Sequence, residues 1–106
     1  MRRCKVFYND RFAGMLTEQA PRLYTFAYDE GYIGRVDSRP ICLSMPLHQR
    51  EYSSESLFPF FCNMLPEGVN RQFLLKLFHV SPDDEFGLLL KSASGDTVGA
   101  VSIKEI

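Results

Sequence analysis

The run Phe58-Pro59-Phe60-Phe61-Cys62-Asn63-Met64-Leu65-Pro66-Glu67-Gly68 constrains the fold more than any other stretch of this chain. Two prolines bracket an aromatic segment. Proline has no N–H, and a helix tolerates that loss only in its first turn, where the N–H has no intrahelical partner. Ser53, Ser54 and Ser56 stand just ahead as N-cap residues. A helix is therefore predicted from near Ser56 to just before Pro66. Pro66 in turn fits the first position of a following helix. The chain must turn a corner here, with Met64 and Leu65 at its apex.

Beyond the corner, Val69, Phe73, Leu74 and Leu77 recur at three- and four-residue steps, which predicts a helix with one apolar stripe. A third helix start follows at Ser81-Pro82-Asp83-Asp84-Glu85, with an N-cap serine, a proline at N1 and acids at the positive dipole end. Phe86, Leu89 and Leu90 are expected to face inward, and Gly95 to end the helix.

The first half reads as strands. Cys4-Lys5-Val6-Phe7-Tyr8 is rich in aromatic and β-branched residues, and Asn9-Asp10 suits the positive φ of a tight hairpin turn. Phe12 to Leu16 is the expected return strand, where Gly14 signals a bulge or a close backbone approach. Leu23 to Tyr28 alternates, with Leu23, Thr25 and Ala27 on one face and Tyr24, Phe26 and Tyr28 on the other. Asp29 to Pro40 reads as an irregular connection or short helix. Ile41 to Met45 reads as a short strand halted by Pro46. Thr97 to Ile103 reads as a closing strand that rejoins the first sheet, with Gly99 at a close packing point or bulge. The expectation is a single α+β domain over residues 1–106: a small, mostly antiparallel sheet with about three helices packed on one face.

Composition narrows the function. A chain of 106 residues with 45% hydrophobic content, nine Phe and five Tyr can build a core, so disorder is not expected. The formal charge is −1, with eight Lys/Arg against six Asp/Glu up to Ser53 and four against seven after it. That gives no basic field for a nucleic-acid backbone, and no direct nucleic-acid binding is expected. Cys4, Cys42 and Cys62 are odd in number and not paired in spacing, unlike a secreted disulfide framework. No cationic start leads into an apolar run, and no window approaches a membrane span. A cytoplasmic protein with reduced thiols is expected, without a membrane partner.

No catalytic constellation emerges. His48 and His79 have no Cys, Asp or Glu at metal-ligand spacing, and the cysteines lie too far apart for a zinc knuckle. Cys62 sits among aromatics and reads as a packed, inert thiol. No phosphate loop or activated serine motif is present. Helix-start electrostatics accounts for Asp83, Asp84 and Glu85, and a helix stop and turn for Gly95-Asp96. No enzymatic activity, metal or cofactor is expected. The patch that carries a functional expectation is the corner Met64-Leu65-Pro66-Glu67-Gly68, with Asn63 and Arg71 beside it. There Met64 and Leu65 either turn into the core or form an exposed apolar knob on a proline-braced corner, suited to binding a partner.

Three segments in order carry a resemblance: Leu43-Ser44-Met45-Pro46-Leu47, Phe58 to Gly68, and Gly95-Asp96-Thr97-Val98-Gly99-Ala100-Val101. With the opening hairpin, Arg71 and Leu88 to Leu90, they resemble the amino-terminal subdomain of HipA-type toxin kinases over nearly the whole chain. In that family the subdomain joins a Ser/Thr-kinase body that carries the catalytic aspartates and the nucleotide-binding loop, none of which has a counterpart in these residues. The resemblance implies a module that packs against a kinase amino-terminal lobe. Met1 leads at once into fold-forming sequence, and Ile106 falls where such a kinase body would begin. A stand-alone HipS-like antitoxin of a HipBST-type tripartite system is thus expected, rather than an excised piece of a toxin. Its expected partner is a HipA-like (HipT-like) kinase toxin, with a HipB-like DNA-binding protein as a possible third member. The expected action is inhibition: Asn63, Met64, Leu65, Pro66, Glu67, Gly68 and Arg71 press toward the kinase cleft and displace its nucleotide-gripping loop. The alternative is a non-inhibitory assembly module.

Overall fold

The computed structural model describes residues 1–92, 97–98 and 100–106. Among them, a six-stranded antiparallel sheet runs in the order β4-β3-β2-β1-β6-β5. The strands are β1 (Arg2–Tyr8), β2 (Arg11–Ala20), β3 (Leu23–Tyr28), β4 (Glu51–Ser54), β5 (Thr97–Val98) and β6 (Val101–Glu105). The helices are α1 (Glu30–Ile33), α2 (Pro59–Cys62), α3 (Gly68–Leu77) and α4 (Glu85–Ser92). The expected α+β class and antiparallel sheet are found.

Local chemistry sets the first hairpin. Asn9 and Asp10 adopt φ of 49° and 66°, the paired left-handed residues of a two-residue turn whose twist matches the strands it joins. Val6 then lies opposite Gly14 and Phe7 opposite Phe12, so Ala13 is an extra residue, a bulge. Gly14 serves a close approach. A Cβ there would run into the Ala27 carbonyl and stand 2.8 Å from Phe26 Cζ.

Cross-strand partners share a face of the sheet. Cys4, Leu16, Phe26 and Tyr52 form one row, and Ile103, Val6, Gly14 and Tyr28 the next. These rows carry the core: Cys4, Val6, Leu16, Phe26, Tyr28 and Ile103 are buried against Phe61, Phe86, Leu88 and Leu89 from the helices. Within β3 the alternation resolves as Tyr24, Phe26 and Tyr28 toward the helices. Phe61 anchors α2 with its ring near those of Phe26, Phe58 and Phe60.

One expected strand is absent. Ile41 to Met45 forms turns, although Ile41 and Met45 are both buried. The Tyr28 hydroxyl explains this. It accepts from the Ile41 N–H at 3.0 Å and donates to the Met45 carbonyl, tying the loop down without a ladder. The strand beside β3 is instead β4, a polar segment held by pairing of Ala27 with Glu51 through Tyr24 with Ser54.

Helix starts shift for nameable reasons. The helix before the corner begins at Pro59, with Phe58 rather than Ser56 as its N-cap. The next begins at Gly68 with Glu67 as N-cap, so Pro66 precedes the helix instead of opening it. α4 begins at Glu85, and Asp84 replaces Ser81 as the cap, accepting the Gly87 N–H at 3.0 Å. Phe86, Leu89 and Leu90 face inward as expected. The closing strand divides into β5 and β6, and β6 rejoins the sheet against β1. The readings placed on Gly95, Asp96 and Gly99 lie outside the described residues.

Candidate interaction surface

The corner between α2 and α3 is built by backbone hydrogen bonds that run past the end of α2. Asn63 N–H donates to the Pro59 carbonyl at 3.0 Å, Met64 N–H to Phe61 at 3.1 Å and Leu65 N–H to Cys62 at 3.1 Å. This continued winding turns Leu65 inward, where it is 7% exposed and part of the core. Of the two alternatives at the corner, Leu65 takes the one that turns into the core. Met64, Pro66 and Arg71 are half-buried, while Asn63, Glu67 and Gly68 face solvent. Gly68 sits at φ 61° with open space around it, so glycine is needed there for conformation rather than for room.

The larger departure lies in α3. Val69, Phe73 and Leu77 are 81%, 62% and 55% exposed, and no residue of this helix is fully buried. Leu74 and Leu75 make its contact with the core. α3 thus carries two apolar faces, one resting on the domain and one open. The sequence reading placed Val69, Phe73, Leu74 and Leu77 on one apolar stripe, of which Leu74 packs against the core and the other three are exposed. The available signal was Leu75: adjacent to Leu74, it widens the apolar arc beyond what one buried face needs.

The C-terminal end of α3 is fixed by its own backbone. At its C-terminus His79 takes φ 56°, Val80 N–H donates to the Leu75 carbonyl at 2.9 Å, and His79 N–H donates to Lys76 at 3.3 Å. This is a Schellman closure with histidine where glycine is usual, and the accompanying Leu75–Val80 pair packs against the core. The neighbouring α4 is pinned by Arg2. Its guanidinium donates to both Glu18 oxygens at 2.9 and 3.0 Å and to both Asp84 oxygens at 2.9 and 2.7 Å, and lies 5.4 Å from the Phe86 ring centre. The Arg2 hydrogen bonds hold the Asp84 carboxyl below its usual range. Gly87 leaves room for the clamp, since a Cβ there would strike Asp84 and stand 2.9 Å from Arg2 Nη1.

Burial pushes the Cys4 thiol up to about 12 and raises Cys62 as well, so neither is poised as a thiolate. Cys4, Cys42 and Cys62 are all free. Among the described residues no three His, Cys, Asp or Glu side chains converge as a metal site, and no helix is long and apolar enough to cross a membrane.

Comparison with known proteins agrees with this architecture. The family model of the HipA N-terminal domain matches residues 4–104. An uncharacterized protein of Haemophilus influenzae is 34% identical over 101 residues, covering 95% of this chain and 90% of that protein. A Sinorhizobium fredii protein named "Putative kinase Y4mE" is 30% identical over 98 residues, 92% of this chain but 23% of the relative. A solved structure titled "N-terminal domain of HipA toxin" matches with a TM-score of 0.75 at 30% identity, covering 100% of this chain and 93% of that one. A sheet, a helical corner and a match spanning residues 4–104 coincide, and the chain belongs to the HipA N-terminal domain family.

Proposed function

We propose that this chain is a binding module that docks on the amino-terminal lobe of a HipA-like Ser/Thr kinase and inhibits it, as a HipS-like antitoxin. The observation that carries the reading is the outward face of α3. Three large apolar side chains, Val69, Phe73 and Leu77, stand in solvent on a helix whose other face is already packed. Aligned apolar residues on a rigid helix are a recognition surface of the helix-in-groove kind. Membership of the HipA N-terminal domain family supports a kinase as the occupant. So does the relative named as a kinase, in which the matching stretch is 23% of the length.

In this reading the corner continues the surface. Asn63, Glu67 and Gly68 are its exposed part, Met64, Pro66 and Arg71 its shoulder, and Leu65 braces it from inside. Docked there, the corner holds the kinase's phosphate-covering loop away from its active position, and an inhibitor needs only a higher affinity for that inactive state. Calorimetric titration onto a HipA-like kinase tests the surface. Phe73→Asp, at an exposed position, is expected to weaken binding at least tenfold, about 1.4 kcal/mol, while the variant stays folded. Unchanged affinity in Phe73→Asp, Leu77→Asp and Met64→Asp alike would exclude this face.

A second reading follows from β4, which among the described residues pairs only with β3, leaving an edge to which a partner strand could add. There the chain is an assembly module that links a kinase to a HipB-like DNA-binding protein without silencing it.

A further inference from the structure

The helices pack on the sheet face that carries Cys4, Val6, Phe26 and Tyr28. The alternate residues of each strand point the other way, onto a face that no described helix covers. Strand register places Lys104, Lys5, Met15, Ala27 and Glu51 in one row across that second face. Arg3, Thr17, Thr25 and Ser53 form the row beside it.

One end of this face concentrates positive charge. Lys5 on β1 and Lys104 on β6 are direct cross-strand partners, an arrangement that costs stability because like charges oppose each other. Arg3 lies two positions from Lys5, on the same side of β1. All three are exposed, and none enters an ion pair among the described residues. Their neighbours on this face, Phe7, Met15, Thr17 and Ser102, carry no charge. Arg2 gives the contrast. On the helix side of the same strand it meets two carboxylates, Glu18 and Asp84. In a chain of net charge −1, three cations held together without an acid leave an anion as the missing occupant.

We infer that the helix-free face of the sheet docks an extended, acidic segment of a partner protein, with Arg3, Lys5 and Lys104 receiving its carboxylates. Alternate residues of an extended chain recur at about 6.6 Å, the spacing of Arg3 and Lys5 along β1. A segment with acids at alternate positions therefore sets one carboxylate at the planar fork of Arg3 and the next between the two lysines. A phosphate backbone fits less well, since it takes a continuous basic track or exposed rings for its bases. Here the row ends in Glu51, and Phe7 and Phe12 are half-buried edge to face against each other. The surface is separate from the exposed α3 row and stands whether or not a kinase docks there.

Fluorescence anisotropy of the full chain with a labelled peptide of about eight alternating Glu and Thr residues, in about 50 mM salt, tests the assignment. Wild type is expected to bind, more weakly as salt rises. Lys5→Glu and Lys104→Glu are each expected to weaken binding at least about fivefold. Either reversal sets a glutamate opposite a lysine, so the melting temperature is expected to hold or rise. Lys76→Glu makes the same charge change on α3 and is expected to leave binding within about twofold of wild type. Wild type that fails to bind the peptide overturns the proposal. A loss in Lys76→Glu equal to that in Lys5→Glu overturns it too, since the attraction is then diffuse. An oligonucleotide of equal charge that binds as tightly as the peptide overturns the protein segment as occupant. A melting temperature that falls in both lysine reversals removes the premise that the pair is uncompensated.

Discussion

At the residue scale, the most connected single side chain is Arg2, which ties β1 to Glu18 on β2 and to Asp84 at the start of α4. Its side chain is 39% exposed, so solvent screens the pair, and Arg2→Met is expected to cost only about 1 kcal/mol at neutral pH. The pH dependence is more diagnostic. Arg2 lowers the Asp84 pKa in the folded state, so this contribution is fully present above the unfolded carboxylate value of about 3.9. It is lost as pH falls through the lower folded value. Denaturant midpoints measured across the acid range should therefore decline more steeply in wild type than in Arg2→Met, the two curves converging at low pH. His79 gives a residue-scale prediction of opposite sign. Its φ of 56° costs a non-glycine residue strain, so His79→Gly is expected to raise stability by up to about 1 kcal/mol, read as a higher melting temperature. The Asn9-Asp10 turn was readable from sequence because left-handed preference is a property of the residue itself. The Arg2–Asp84 clamp was not, because its partners are 82 positions apart.

At the element scale, what periodicity can and cannot decide is clearest in α3. The three- and four-residue spacing of Val69, Phe73, Leu74 and Leu77 announced a helix, and a helix is there. Which part of the stripe turns inward depends on what the rest of the fold offers, and the core meets Leu74 together with Leu75 beside it. The assignment can be tested by two charge insertions. Phe73→Asp should shift the melting temperature by no more than about 3 °C, as exposed substitutions do. Leu65→Asp, at a position 7% exposed, should cost more than about 3 kcal/mol by burying an unpaired charge. Comparable losses in both would mean that α3 packs by the other face. The sheet shows the same division. Gly14 was readable as a close approach, and Gly14→Val is expected to cost about 3 kcal/mol or more, because the carbonyl of Ala27 cannot move aside without breaking the β2–β3 ladder. β4 was not readable, since a polar edge strand owes its existence to a neighbour and not to its own pattern.

At the scale of the whole molecule, the fold leaves one helix face unfinished. The sheet buries one row system under α2 and α4, Arg2 fixes α4, and α3 lies outermost with its apolar row outward. In the proposed function, a domain of the HipA N-terminal family with such a face docks on a kinase, either as an inhibitor or as an assembly element. The two differ in what happens to catalysis, not in whether a complex forms. The fold class and the place of the corner were legible because they rest on strand alternation, the Asn9-Asp10 turn and the prolines that bracket the aromatic run. The exposed face of α3 was not, since exposure is a property of the folded whole. The most direct measurement is phosphorylation by a HipA-like kinase titrated with this chain, beside a matched titration with Phe73→Asp. The account predicts that activity falls to background near equimolar wild type and that the variant requires at least ten times more protein, about 1.4 kcal/mol of lost binding. Full kinase activity within a stable complex would contradict inhibition, and the absence of any complex would contradict docking altogether.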